Sequence, residues 1–187
     1  MFSKLSNWFL RISTGKLTLA ILVIFIVFSA LILPYETARV EEYAGEVGSP
    51  DLSLYYSASE LYGFAEAYGP LGRTAYIQAR FSFDLIFPLV YGAFLVAAIS
   101  WLIKHTNLDW NTWGRLNLLP AAGVVFDYLE NVSAAIVMAR YPQTTAVLDH
   151  LAGVFTLIKW VFNGAAFIAL LCVGIFALVK WVKPKST

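Results

Sequence analysis

The chain has 187 residues, of which 59% are hydrophobic and 13% are charged. Soluble domains carry about 25% charged residues, so this composition argues against a protein whose main solvent is water, and the length allows one domain, 1–187. A net charge of +1 without a basic stripe argues against nucleic acid as a partner.

The amino-terminal segment, residues 1–16, is predicted to be an amphipathic helix on the cytoplasmic membrane surface. Its apolar side chains recur along one helical side, away from Lys4 and Arg11, and they are Phe2, Leu5, Trp8, Phe9 and Ile12. A helix with this pattern lies in the membrane interface rather than across the bilayer.

Four later segments are apolar enough to cross a bilayer, which takes roughly 20 residues of helix. They are 17–33, 81–103, 116–139 and 151–182. Their length and weak alternation exclude barrel strands. The predicted fold class is therefore all-α, a polytopic membrane protein with a four-transmembrane-helix bundle and interfacial amphipathic helices. The first span lacks a small-x-small exit site, which favours an uncleaved anchor over a signal peptide.

The connection at 34–80 is predicted to be an outer loop that contains an amphipathic helix at 51–68. Ser49-Pro50-Asp51 supplies start signals, and Gly69-Pro70 is expected to end the helix. Its tyrosine and phenylalanine rings suit the headgroup region of a membrane. The segment is either an anchor for the outer loop or a lid over a site that opens outward.

The distribution of charged residues predicts the orientation in the cell membrane. Eight basic residues flank the spans on one side, namely Lys4, Arg11, Lys16, Lys104, Arg115, Lys180, Lys183 and Lys185. The connection at 34–80 instead carries seven acids, namely Glu36, Glu41, Glu42, Glu46, Asp51, Glu60 and Glu66. Because basic residues stay on the cytoplasmic side, both termini are predicted to be cytoplasmic.

Charged and polar residues also lie within the spans, at steps of three and four that place them on one face of each helix. These candidate ligand-binding residues are Arg73, Arg80, Asp84, Tyr91, Asn131, Lys159 and Asn163, and the candidate catalytic acid and base are Asp127 and Glu130. A charge at the centre of a membrane helix costs about 2.5–3.5 kcal/mol. The stripes are therefore predicted to converge in one buried cluster, whose charged members leave one surplus negative charge.

The alternative interpretation of these stripes is structural. Salt bridges such as Asp84 with Lys159, or Arg80 with Glu130, would then only fix which helices pair. Polar contacts between membrane helices stabilise by about 0.6 kcal/mol on average, which is small compared with the free-energy cost of burying five charges.

Motifs of strong specificity for catalysis, metal binding or a cofactor are absent. The two histidines, His105 and His150, are predicted to lie on opposite sides of the membrane, which argues against a multi-histidine metal or haem site. No cofactor is expected, and whether the protein is an enzyme stays open.

Two sequence runs carry a resemblance. Gly72-Arg73 with Arg80-Phe81-Ser82-Phe83-Asp84-Leu85-Ile86-Phe87-Pro88-Leu89-Val90-Tyr91, followed by Asp127-Tyr128-Leu129-Glu130-Asn131, resembles a pattern of uncharacterised small bacterial four-span membrane proteins. The layout is also similar to the EXPERA group of sterol-binding and sterol-isomerising proteins, which have four helices, cytoplasmic termini and intramembrane acids. This likeness is one of architecture and implies no function for a given residue.

Two functions follow as expectations. The first is a buried charged pocket in the outer half of the bilayer that binds or processes a lipid or another amphiphile, with the cations holding an anionic headgroup. The alternative is a non-catalytic accessory or assembly subunit of a larger membrane complex. Ion or proton movement is less favoured, because the cytoplasmic half of the spans (96–102 and 169–178) shows no polar path.

Overall fold

The computed structural model describes residues 2–106 and 108–182, and these residues are mostly helical with no strand among them. The helices are α1 (Phe2–Ile12), α2 (Gly15–Ala44), α3 (Ala58–Arg80), α4 (Phe83–Lys104), α5 (Trp110–Trp113), α6 (Leu119–Arg140) and α7 (Leu148–Val182), with short 3-10 turns at Gly45–Val47, Pro50–Leu52 and Gly114–Leu118. The predicted all-α class is confirmed. Lys183 and Lys185, used above for orientation, lie outside the described residues.

Four segments are long and apolar enough to cross a membrane. They are Gly15–Ala44, Ala58–Lys104, Trp110–Arg140 and Leu148–Val182. Each contains one of the predicted spans, so the prediction of a multi-pass membrane protein is supported by length and composition.

Helix α2 continues well beyond the predicted end of the first span. Pro34 lies inside the helix, and the residues after it include good helix formers. An ion pair one turn apart, with Arg39 Nη1 3.0 Å from Glu36 Oε1, supports this part of the helix. The predicted loop at 34–80 is therefore helical over its first eleven residues.

The segment 45–57, here named the strap, connects α2 to α3 and holds the residues that were predicted to begin a helix at 51. The helix begins instead at Ala58, because Ser57 and Glu60 form a capping box. The Ser57 backbone N–H donates to Glu60 Oε2 at 2.7 Å, and the Glu60 backbone N–H donates to Ser57 Oγ at 3.3 Å. These bonds satisfy N–H groups that the first helical turn leaves open.

The break predicted at Gly69-Pro70 is present, but helix resumes directly after it. Gly69 has φ 61° and ψ −178°, a conformation that glycine adopts without a steric penalty. Pro70 then occupies the first position of the continuing helix, where its missing N–H is not needed. The predicted helix at 51–68 is thus corrected to a kinked helix, α3, that runs from Ala58 to Arg80.

By contacts, the chain divides into two compact units. The first unit comprises residues up to Phe25, Val90–Gly123 and residues from Val161 onward, and the second comprises Ile26–Leu89 and Val124–Trp160. Each unit is described by itself below.

In the first unit, α1 packs against the turn at Gly114–Leu118. Ser6 Oγ donates to the Gly114 carbonyl at 2.9 Å, and buried Leu10 lies in a core with Ile99, Ile103, Ala169 and Val173. Of the five apolar side chains of α1 that were predicted to face a membrane surface, Phe2, Leu5, Trp8 and Ile12 are exposed, whereas Phe9 is half-buried.

In the second unit, the core is rich in tyrosine. It contains Ala44, Tyr56, Leu61, Ala65, Tyr68, Tyr76, Ala134, Val137, Met138 and Ala152. The rings of Tyr43, Tyr68 and Tyr76 follow one another with centroid distances of 5.3 and 5.9 Å. Each buried tyrosine places a hydroxyl group inside this apolar core, and such a group needs a hydrogen-bond partner.

Candidate functional site

Arg80, the last residue of α3, is buried between two carboxylates. Its Nη1 pairs with Asp51 of the strap, and its Nη2 lies 2.9 Å from Asp84 Oδ2. Nη1 also donates to Asn131 Oδ1 at 3.4 Å, and the guanidinium lies 4.5 Å from the centroid of the Tyr76 ring. The sequence placed Arg80 and Asp84 on one face, and the structure makes them a direct pair.

Asp51 was not among the predicted site residues. It follows Ser49-Pro50, a pattern that was taken for a helix start, and it belongs instead to a three-residue 3-10 turn. Ser49 Oγ donates to Asp51 Oδ2 at 3.0 Å. Burial disfavours the charged form of Asp51, but the Arg80 and Lys159 charges outweigh it, so the pKa of Asp51 lies below its ordinary value.

Lys159 of α7 is the second buried cation, and it too faces two carboxylates. Its Nζ lies 2.5 Å from Glu130 Oε2 and 3.6 Å from Asp127 Oδ1. The same atom lies 5.5 Å from the centroid of the Trp160 ring. Glu130 is fully buried, and Tyr56 Oη of the strap donates to its Oε1 at 3.3 Å.

Helix α6 joins the two groups of ion pairs. Asp127 and Glu130 face Lys159, whereas Asn131, the next residue, accepts from Arg80. We call the six charged residues the ion-pair cluster, and its members are Asp51, Arg80, Asp84, Asp127, Glu130 and Lys159. The pairs differ from those suggested by the sequence, because Asp84 binds Arg80 and Glu130 binds Lys159.

The ion-pair cluster holds four carboxylates but only two cations. The sequence counted three of these carboxylates and one surplus negative charge; the addition of Asp51 raises the surplus to two if all groups are ionised. Like charges in a low-dielectric site cannot all stay ionised without a counter-charge. When all six groups are ionised, the cluster therefore carries two negative charges that its cations do not balance.

Apart from the ion-paired oxygens Asp84 Oδ2 and Glu130 Oε2, four buried polar atoms of the cluster and of Tyr76 and Asn131 beside Arg80 lack a hydrogen-bond partner within the described part of the chain. They are Asp51 Oδ1, Tyr76 Oη, Arg80 Nε and Asn131 Nδ2. Tyr76 is 0% exposed and Asn131 3% exposed. Buried polar groups are nearly always hydrogen-bonded, to protein or to another molecule, so these atoms have hydrogen-bonding capacity that the described residues do not use.

The strap is fastened to the helices of the second unit at several points. Trp160 Nε1 donates to the Ser53 carbonyl at 2.9 Å, and Tyr68 Oη donates to the Gly48 carbonyl at 2.6 Å. At Gly153 the Tyr56 carbonyl oxygen occupies the place that a Cβ would take. Gly153 was missed in the sequence, although an isolated glycine in a helical pattern is a signal for close backbone approach.

Arg73, predicted to bind a headgroup, has a different environment from Arg80. Its Nη1 donates to the Ala65 carbonyl at 2.8 Å, and its guanidinium lies 4.8 Å from the centroid of the Tyr141 ring. No described carboxylate pairs with it. Arg73 therefore holds the kinked part of α3 and is not joined to the ion-pair cluster by a described contact.

Tyr91 and Asn163 belong to the first unit and contact each other. Asn163 Nδ2 donates to Tyr91 Oη at 3.2 Å, and a Cβ at Gly123 would overlap the Asn163 side chain. The structure thus brings these two predicted residues together as a neutral pair.

Comparison with protein-family models, with curated proteins and with solved structures gives no match for this chain. The resemblances noted from the sequence therefore stay predictions.

Proposed function

We propose that this protein is a multi-pass protein of the cell membrane that binds the polar end of a lipid or another amphiphile in the ion-pair cluster. The observation that carries this proposal is the coincidence of two surplus carboxylates with buried polar atoms that lack partners. A purely structural cluster would be expected to balance its charges, since an uncompensated buried charge is strongly destabilising.

The proposed orientation has both termini in the cytoplasm and the strap on the outer side. The support is the excess of basic residues at the chain ends and in the connection near Lys104 and Arg115, against the acids of 34–80. The exposed apolar face of α1, flanked by Lys4 and Arg11, suits the cytoplasmic membrane surface.

The proposal concerns binding. Within it, Asp127 and Glu130 stay the candidates for acid and base chemistry, because both lie against a cation that can stabilise the ionised form. Tyr56 donates to Glu130 and would orient that carboxylate. Whether a reaction follows binding is a separate prediction that these contacts do not require.

Native mass spectrometry of the protein purified in a mild maltoside detergent tests the proposal. We expect one amphiphile to stay bound per chain, and we expect Asp127→Asn to lose it while the protein stays folded by circular dichroism. Glu66→Gln is the matched control, since Glu66 is an exposed acid of the same unit outside the cluster. Equal retention in all three proteins, or retention in none, would contradict the proposal.

A second function, that of an accessory subunit in a larger membrane complex, is favoured by one observation. Of the 30 residues of α2, only Ala44 is fully buried and most of the large apolar side chains are exposed, so one side of the helix is available to a partner helix or to lipid. Blue-native electrophoresis of gently solubilised membranes distinguishes the two. A complex much larger than a monomer or dimer supports the subunit proposal, and a monomer or dimer alone opposes it.

A further inference from the structure

The charge of the bound headgroup can be inferred from the balance between carboxylates and cations in the ion-pair cluster. Both cations already have two carboxylate partners each, Arg80 with Asp51 and Asp84, and Lys159 with Asp127 and Glu130. An anionic headgroup would add a third negative charge to one of these groups. A positive group would instead neutralise part of the surplus, in a medium where charge pairs interact strongly.

The cluster already recognises one ammonium group, that of Lys159. Its Nζ is held by carboxylate oxygens of Glu130 and Asp127 and lies near the face of the Trp160 ring. Carboxylates and aromatic faces are the two elements that proteins use to bind amines. Asp51 Oδ1 is a carboxylate acceptor that has no donor, and the hydroxyl of fully buried Tyr76, which can accept or donate, has no partner either.

Two further atoms without hydrogen-bond partners are donors. Arg80 Nε and Asn131 Nδ2 each need an acceptor, and an ammonium group has none to offer. A guest that satisfies both kinds of atom carries an ammonium and, next to it, an oxygen acceptor such as a phosphate or ester. A metal ion satisfies neither of these donors, and no group of three or more possible metal ligands is found among the described residues.

We propose that the amphiphile bound in the ion-pair cluster has an ammonium headgroup with an adjacent oxygen acceptor. This inference rests on the proposed function and names the class of its ligand. It replaces the anionic headgroup expected from the sequence, because Arg80 and Lys159 are each already paired with two carboxylates. Asp51, which lies in the strap, is the acid that was not included when the charges of the cluster were counted from the sequence.

Two probes that share their acyl chain and phosphate diester test the ligand class, one with an ammonium group and one with a glycerol diol in its place. Lysophosphatidylethanolamine and lysophosphatidylglycerol of the same acyl chain share a phosphate diester, but only the first carries an ammonium. Both are titrated into the full-length protein in maltoside, with binding measured by isothermal titration calorimetry. We expect one site per chain and at least about a tenfold lower Kd for the ethanolamine lipid, a difference of about 1.4 kcal/mol.

Variants of the ion-pair cluster test whether its carboxylates cause the preference for the ethanolamine lipid. Asp51→Asn removes one acceptor charge from the strap without touching a spanning helix, and we expect it to reduce the ethanolamine preference severalfold. Asp127→Asn provides a second test if Asp51→Asn does not fold. Glu66→Gln, an exposed acid of the same unit, is expected to keep the wild-type preference.

The outcomes separate this inference from the proposed function. Saturable binding of both lipids with equal Kd, or tighter binding of the glycerol lipid, overturns the ammonium proposal and leaves the amphiphile site in place. A preference that survives both Asp51→Asn and Asp127→Asn overturns the assignment to the cluster. No saturable binding of either lipid, together with no retained amphiphile in the purified protein, overturns the proposed function as well.

Discussion

The first unit buries only neutral polar residues among those described, namely Ser6, Ser13, Ser100, Asn117 and Asn163, whereas the second buries the charged residues Arg80, Asp127, Glu130, Asp149 and Lys159. In the first unit these neutral side chains form hydrogen bonds with one another and with the backbone. Asn117 Nδ2 donates to Ser100 Oγ at 3.0 Å and to the Ser6 carbonyl at 3.1 Å. Neutral amides and hydroxyls are sufficient to hold helices and turns together, so the charges of the second unit call for a different explanation.

The largest expected effect tests whether the charges of the second unit depend on one another. Lys159→Met leaves Glu130 and Asp127 buried without their cation, and we expect a loss of about 3–5 kcal/mol in the free energy of unfolding. Reversible denaturation in mixed detergent micelles measures it. Lys180→Met, at an exposed position of the same helix, is the control. A loss below about 1 kcal/mol would mean that the carboxylates do not rely on Lys159.

The next effect concerns how the strap is held. Gly153→Ala places a Cβ where the Tyr56 carbonyl oxygen lies, and we expect about 1–3 kcal/mol of destabilisation from the forced displacement, with faster proteolysis of the strap. Gly164→Ala in the same helix meets nothing within 4 Å, so it should be neutral or stabilise by up to about 1 kcal/mol. Equal behaviour of the two variants would show that the strap is not packed against α7.

In the first unit, Asn117→Ala should have a smaller effect. It removes two hydrogen bonds between neutral groups, and side-chain hydrogen bonds in membrane proteins average about 0.6 kcal/mol each, so we expect a loss of about 1 kcal/mol. Asn111→Ala, at an exposed position, serves as the control in the same denaturation assay. If Asn117→Ala cost as much as Lys159→Met, the contrast between the two units would fail.

The smallest effect is expected with pH. Because the folded protein lowers the pKa of Asp51, Asp51 stabilises the fold fully above its unfolded pKa of about 3.9, and this contribution is lost as pH falls through the lower folded value. The free energy of unfolding should therefore fall more steeply from pH 5 to pH 3 in the wild type than in Asp51→Asn. Identical slopes would show that Arg80 does not hold Asp51 in its ionised form.

Much of the fold could be predicted from the sequence, because apolar runs of membrane length have few alternative structures. Periodicity also placed Asp127, Glu130 and Asn131 on one face of α6, and their contacts agree with it. Periodicity predicts which face of a helix a residue occupies but not which residue it contacts. The pairing of Lys159 with Glu130 instead of Asp84 could therefore not be derived from the sequence.

The strap is where prediction from sequence was weakest. Asp51 and Tyr56 reach the cluster through an irregular segment with no period, and the capping pair Ser57 and Glu60 competed with an earlier apparent start at Ser49. The contact between Gly153 and the Tyr56 carbonyl is a long-range approach of two backbones. No local pattern specifies such a contact, although the glycine marks where one can occur.

The arrangement of α6 and α7 has a consequence for how the chain enters the membrane. During synthesis α6 leaves the ribosome before α7, so Asp127 and Glu130 reach the insertion machinery before Lys159 has been made. An acid at the centre of a membrane helix costs about 2.5–3.5 kcal/mol on the insertion scale. We therefore expect α6 to remain in a hydrated environment until α7 has been made. The two helices then enter the lipid together as a hairpin, in which Lys159 of α7 supplies the charge opposite to the acids of α6.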